Sequence, residues 1–277
     1  MKLINKIKLK GWLLLPLVSV FVFVACDSNA FENGSNDIIE TDEANSYTDT
    51  SDSELNEDEV DDATIVAGSQ MTYIILPPPE VDGDMSVENA LANRRSQRDF
   101  QNRALSIEQL SQILWAAYGI TLPMPDNERS RGGLRTTPSA GAVFPLEIYV
   151  IIGYVDEIEP GVYRYLSEEH KIVQVLYGDL RNELSEAALG QRMVREAPIS
   201  IFYSAIFDRM ISVYGERGIK YTYMEIGHSA QNVYLQAVAL GLGTCAIGAF
   251  TDNLVRQVLD LPDEEEPLYL MPVGYYY

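Results

Sequence analysis

The stretch RRSQRDF, residues 94–100, sets Arg94, Arg95 and Arg98 around Ser96 in a chain whose formal charge is −21. Guanidinium groups this close repel one another unless carboxylates or a bound anion neutralise them. Two readings stand. The arginines either pair at the surface with Asp99 or Glu88, or hold planar forks of donors ready for a phosphate or a ring carbonyl, with the Ser96 hydroxyl beside them. Residues 138–142, PSAGA, place small side chains after a proline. Pro138, Ser139, Ala140 and Gly141 would let main chain approach a flat ring, and they equally suit a tight turn. AIGAF, residues 246–250, offers backbone N–H groups at Gly248, Ala249 and Phe250, or else a buried strand. Lys220 and Tyr221 join an amine to a phenol. A lysine desolvated beside a bound ring becomes a base, whereas at a helix start it is a solvated charge. Cys245 reads as a small buried hydrophobe rather than a nucleophile. His170 and His228 stand far apart with no CxxC or HExxH nearby, so no metal site is expected.

These residues need elements to position them. MSVENALANRR reads as a helix opened by Ser86, with Val87, Ala90 and Leu91 at helical spacing. In LSIEQLSQILWAAYG, Ser106 and Gln109 form a capping box, and Ile107, Leu110, Ile113, Leu114 and Ala117 form the apolar stripe, with Gly119 as the stop. DNERSRGGLRTTPSAGAVFP is rich in turn residues and reads as loop. LEIYVII, residues 146–152, is a strand buried on both faces, GVYRYL and KIVQVL form a hairpin around SEEH, and APISIFYSAIF is another buried strand. LRNELSEAAL is helical. TCAIGAF and PLYLMPVGY are expected as strands around the short helix DNLVRQVLDL. YTYMEIGHSAQNVYLQAVALGLG is a long, nearly uncharged helix ending at Gly241 or Gly243, which must lie inside the protein or inside a subunit interface. On it His228 and Gln231 share a face, followed by Asn232, to line a cavity or to bond across a dimer. Hairpins mixed with helices, without strict alternation, give an α+β class.

In this order, over residues 85–275, the arginine cluster, the TTPSAGAVFPLEIYV stretch, the long helix with its GLGTCAIGAF continuation and the final PLYLMPVG resemble the nitroreductase-like flavoenzymes. The closer resemblance is to the SagB/ThcOx-type dehydrogenase branch. It implies an α-β-α sandwich with a central, mainly antiparallel sheet flanked by helices. It also implies an intertwined homodimer with FMN at the subunit interface and two-electron chemistry through the flavin N5, with NAD(P)H as a candidate electron donor. On this resemblance Arg94, Arg95, Ser96 and Arg98 hold FMN, Pro138, Ser139, Ala140 and Gly141 lie along the isoalloxazine, and Gly248, Ala249 and Phe250 run past its face. Lys220 and Tyr221 match a pair that peptide azoline dehydrogenases use for proton removal. The substrate would be a quinone-like or nitroaromatic small molecule or a peptide-derived heterocycle. A surface lipoprotein that binds flavin without turnover is the other class. One departure matters: many nitroreductases end in a basic pair, and this chain ends in PVGYYY. Phosphate binding then falls to the 94–98 cluster, with Arg135 as a further candidate.

Residues 1–26 combine four lysines, a fourteen-residue apolar run and Cys26, the pattern of a secretory signal. FVAC at its end resembles the lipobox of bacterial lipoproteins, with Cys26 the lipidated residue, although Phe23 stands where leucine is usual. Residues 27–70 hold fourteen acids and no Lys or Arg, and read as a disordered, self-repelling tether. Residues 71–277 then form one domain carrying a net charge of −11, which argues against nucleic acid as a partner. With Cys26 acylated, Cys245 has no disulfide partner. The expected location is extracytoplasmic, anchored to a membrane through lipid alone. FMN and NAD(P)H are cytoplasmic pools, so flavin would be loaded after export or electrons would come from another donor.

Overall fold

A computed structural model describes residues 72–125 and 127–277. The expected signal segment, Cys26 and the acidic tether lie outside these residues. The central feature is a sheet of seven strands: β1 (Tyr73–Ile75), β4 (Leu146–Ile152), β5 (Gly161–Leu166), β6 (Lys171–Tyr177), β7 (Ile199–Ala205), β8 (Gly243–Thr244) and β9 (Glu266–Gly274). β2 (Ile120–Pro123) and β3 (Gly133–Arg135) make a separate hairpin. The spatial order is β1-β6-β5-β4-β7-β9-β8, and every neighbouring pair is antiparallel. β4 and β7 are the middle strands, and all seven residues of each are buried. Their sequences, LEIYVII and ISIFYSA, are continuous and β-branched because both faces are covered.

One face packs on α2 (Ile107–Tyr118) and α6 (Arg217–Ala239), through Leu110, Ile113, Leu114, Ile226, Ala230 and Val233. The other packs on α3 (Arg181–Ala187), α4 (Arg192–Glu196) and α7 (Asp252–Leu259), through Leu184, Val194 and Val255. The expected sandwich is therefore present. α2 begins with the capping box formed by Ser106 and Gln109 and stops at Gly119, as the sequence indicates. α1 (Val87–Asn93) is capped by Ser86.

The sequence reading needs correction in four places. The run APISIFYSAIF is not all strand: β7 stops at Ala205, and α5 (Phe207–Tyr214) follows, an amphipathic helix of which only Met210 is buried. The expected loop at 126–145 contains β3, paired back onto β2. TCAIGAF is a strand only at its first residue. Ala246 sends its N–H to the Tyr234 hydroxyl, Ile247 exchanges both bonds with Leu270, and Phe250 packs into the opposite core. The β8–β9 pairing thus resumes only at the Ile247–Leu270 bridge instead of running as a continuous strand through 244–250. Finally, α6 begins at Arg217 and is buried along one face only, leaving Tyr223 and Met224 exposed. It ends where Gly241 takes φ 69°. The Gly241 and Leu242 amides turn back to the carbonyls of Val238 and Ala237, a left-handed stop that favours glycine.

Candidate active site

Three of the expected site segments are strung along α6. Near its C-terminal end Tyr234 gathers the first group. Its hydroxyl lies 3.0 Å from Ser96 Oγ and accepts the Ala246 N–H at 2.8 Å, while the Arg94 guanidinium sits 5.1 Å from its ring centre. Ser96 bridges Thr244 in parallel register, and the Gln97 N–H donates to the Thr244 carbonyl. This close approach needs Gly243, where a Cβ would stand 2.6 Å from Gln97 Cβ. Cys245 is buried, and burial pushes its thiol up to about 11, with the positive charge of Arg98 partly offsetting the shift. It is a core residue, as expected.

The charge question at 94–98 has a direct answer. Among the described residues no carboxylate pairs with Arg94, Arg95 or Arg98. Asp99, the adjacent acid, is taken by Arg192. Among the described residues Arg95 donates only to the Ala92 and Arg94 carbonyls. Thr244 Oγ1, next to Ser96 in the bridge, is buried without a partner.

Nine residues earlier on α6, roughly 13 Å along its axis, Glu225 gathers the second group. Its carboxylate accepts from Ser139 Oγ at 2.5 Å and from the Tyr118 hydroxyl at 2.6 Å. Between the two groups, Asn232 donates to the Thr136 carbonyl and to Thr137 Oγ1. Asn232 lines a cavity of about 320 Å³ together with Val87, Trp115 and Thr136. Pro138 and Gly141 are exposed, and Ser139 and Ala140 half-buried. Gly141 takes φ 60°, and a Cβ there would meet the Tyr214 hydroxyl at 2.4 Å. Tyr214 in turn packs edge-on against Tyr221 at 5.2 Å, and Arg217 Nε donates to the Tyr221 hydroxyl at 2.9 Å. Tyr221 thus stands one ring from the 138–141 loop. Lys220 and His228 are exposed.

Gly248 and Ala249 are exposed, and the Ala249 carbonyl accepts from Gln191. The Phe250 ring packs 6.4 Å from Phe202 against the second core, and its backbone follows the exposed Gly248 and Ala249. Arg135 does not join the 94–98 cluster. It is buried against the rings of Tyr118 and Phe144 and lines another cavity, of about 250 Å³. That cavity also contains Glu147, which the sequence reading missed. Only 3% exposed, it is held by Arg131 at 3.0 Å, Arg164 at 2.7 Å and Arg209 at 2.5 Å. Among the described residues no cluster of His, Cys, Asp and Glu could hold a metal ion, and no helix is long and apolar enough to cross a membrane.

Comparison with known proteins gives a consistent result. The nitroreductase family matches residues 91–275. A nitroreductase-family protein of Methanocaldococcus jannaschii is 46% identical over 196 residues, covering 71% of this chain and 93% of that protein. A crystal structure of a nitroreductase-family protein from Ralstonia eutropha superposes with a TM-score of 0.62 at 30% identity, covering 74% of this chain and 90% of the other. The microcin B17-processing protein of Escherichia coli is 28% identical over 168 residues, 57% of each chain.

Proposed function

The chain belongs to the nitroreductase family, an FMN-dependent oxidoreductase family with NAD(P)H as electron donor, and on that premise we propose that it is a SagB/ThcOx-type dehydrogenase. Its residues fit FMN. The observation that carries this reading is the set of three arginines that, among the described residues, have no carboxylate partner, beside the Thr244 hydroxyl that has none there either. Arg94, Arg95, Ser96 and Arg98 would hold the phosphate end, Pro138, Ser139, Ala140 and Gly141 would lie along the ring, and Gly248, Ala249 and the Phe250 backbone would pass its face. When bound, FMN supplies two-electron chemistry at N5. The chain's own part is to hold and orient: guanidinium forks fix an oxyanion in place, and small residues let backbone lie close to a flat ring.

The substrate class is a small molecule or a peptide-derived heterocycle. Similarity to a peptide-processing relative supports the second, as does the position of Tyr221, one ring from the 138–141 loop. In that reaction Lys220 Nζ takes the substrate proton and Tyr221 OH, held by Arg217, orients the pair. The test is turnover of azoline-containing peptides, and of quinones and nitroarenes, by wild type and Lys220→Ala. Lys220→Ala should retain its yellow flavin and lose azoline oxidation by about a hundredfold or more. Undiminished turnover would remove the lysine from the chemistry, and a flavin that stays inert with every substrate would favour a binding role.

We also read the protein as a homodimer, in which the exposed Tyr223–Met224 side of α6 meets a second copy. We further read it as an exported lipoprotein anchored through Cys26, with residues 27–70 as spacer.

A further inference from the structure

Glu225 has no part in the reading above, which uses the arginines, the small-residue loop and the Lys220–Tyr221 pair. We propose that Glu225 is a positioning residue for residues 139–144: its ionised form holds this loop in its working shape and its protonated form loosens it. The inference rests on the reading that this loop lies along the flavin.

The loop has an unusual backbone. Gly141, Ala142 and Phe144 take φ of 60°, 53° and 53°. This region costs little for glycine but is unfavourable for alanine and phenylalanine, so the surroundings must impose it. Phe144 is pinned on three sides. Its N–H donates to Ser139 Oγ at 2.9 Å, its carbonyl accepts from Arg131 at 2.6 Å, and its ring meets Tyr118 edge-on at 5.9 Å. Ser139 Oγ, which accepts that N–H, sends its own hydrogen to Glu225 Oε2. The Tyr118 hydroxyl accepts the Leu146 N–H at 3.3 Å and sends its hydrogen to Glu225 Oε1.

A carboxylate accepts both hydrogens and completes this network. A carboxylic acid must give its own proton to one hydroxyl, whose hydrogen then loses its acceptor. The charged and titratable groups facing Glu225 are Tyr118 from α2, and Arg131 and Arg135 from the β3 hairpin. Burial favours the protonated form, and the Ser139 and Tyr118 hydrogen bonds and the arginines favour the ionised one, leaving the carboxyl pushed up to about 7. Acidification through neutrality therefore reverses one of these bonds and leaves a buried hydroxyl hydrogen without an acceptor, which weakens the hold on Phe144 and Leu146.

The test measures hydrogen exchange at the Phe144 and Leu146 amides of the full chain at pH 8 and pH 6, corrected for intrinsic exchange, with FMN affinity measured alongside. In the wild type, Phe144 protection should fall roughly fivefold on acidification, the factor one hydrogen bond is worth. Glu225→Gln, whose amide can satisfy only one of the two hydroxyl hydrogens, should stay folded and show the weaker protection at both pH values. FMN affinity should follow the same pattern. Ser139→Ala should lose Phe144 protection at both. Equal protection at pH 6 and pH 8 in the wild type, or a wild-type pH response kept by Glu225→Gln, would overturn the proposal. A chain with the pH step but no affinity for FMN would sink the flavin reading and leave the loop switch standing. Flavin binding without the step would do the reverse.

Discussion

Glu147 shows how much a single side chain holds together. Its carboxylate, inside the sheet end, meets three guanidinium groups from the β3 approach, β5 and α5. Burial raises its affinity for a proton, but Arg131, Arg164 and Arg209 together overcome this and hold it below the usual carboxylate range. A depressed folded value contributes stability above the unfolded value that is lost as pH falls through the folded one. Glu225 has the opposite sign: its raised value makes the fold relatively more stable when the group is protonated, and stability declines as pH rises from the ordinary carboxylate range towards 7. Glu147→Ala should therefore cost about 3–5 kcal/mol, because it leaves arginines unpaired around a buried hole. Urea unfolding at pH 7 measures this, and a change within error would mean that the arginines find other partners. Neither acid was picked out from sequence, although a signal existed. Glu147 is the only charge in LEIYVII, and Glu225 the only one in the run from Tyr221 to Gly243. A lone acid in an apolar stretch must be paired, but its partners come from distant segments and leave no local trace.

At the scale of elements, α6 is the spine of the site. Glu225 and Asn232 tie the 136–139 segment to it, and Tyr234 ties the 94–98 segment. Gly243 lets the arginine segment lie against β8, so Gly243→Val should push residues 96–98 outward and weaken FMN binding about tenfold or more. A fluorescence titration checks this, and unchanged affinity would separate the 94–98 segment from the flavin. The elements with strong periodicity or continuous β-branched runs were legible: α2 by its capping box and stripe, and β4, β5 and β6 by their patterns. α5 was not, because its first residue continues the apolar run of β7 and no side chain caps it. The course of residues 245–250 was hidden for a different reason. Its apolar residues serve two cores on opposite faces of the sheet, which a one-dimensional pattern cannot separate from a buried strand.

For the whole molecule, the arrangement is a cationic patch maintained within an acidic domain. With −11 spread over residues 71–277, carboxylates are plentiful, yet Asp99 goes to Arg192 and Glu147 takes three other arginines. Among the described residues Arg94, Arg95 and Arg98 are thus left without a carboxylate, as an anion from outside would require. The sandwich and the placement of Ser96, Arg94 and Tyr234 follow from one chain. In the homodimer proposed above, a second copy would meet the exposed Tyr223 and Met224. The most direct test is to strip the protein of flavin, add FMN and record visible absorbance and affinity for the wild type, Arg94→Glu and Arg98→Glu. The wild type should take up one FMN per chain and turn yellow, and each reversal should weaken binding by about a hundredfold or more, two charge-assisted contacts being replaced by repulsion. Reversals that bind FMN as tightly as the wild type, or a wild type that takes up none, would contradict the account.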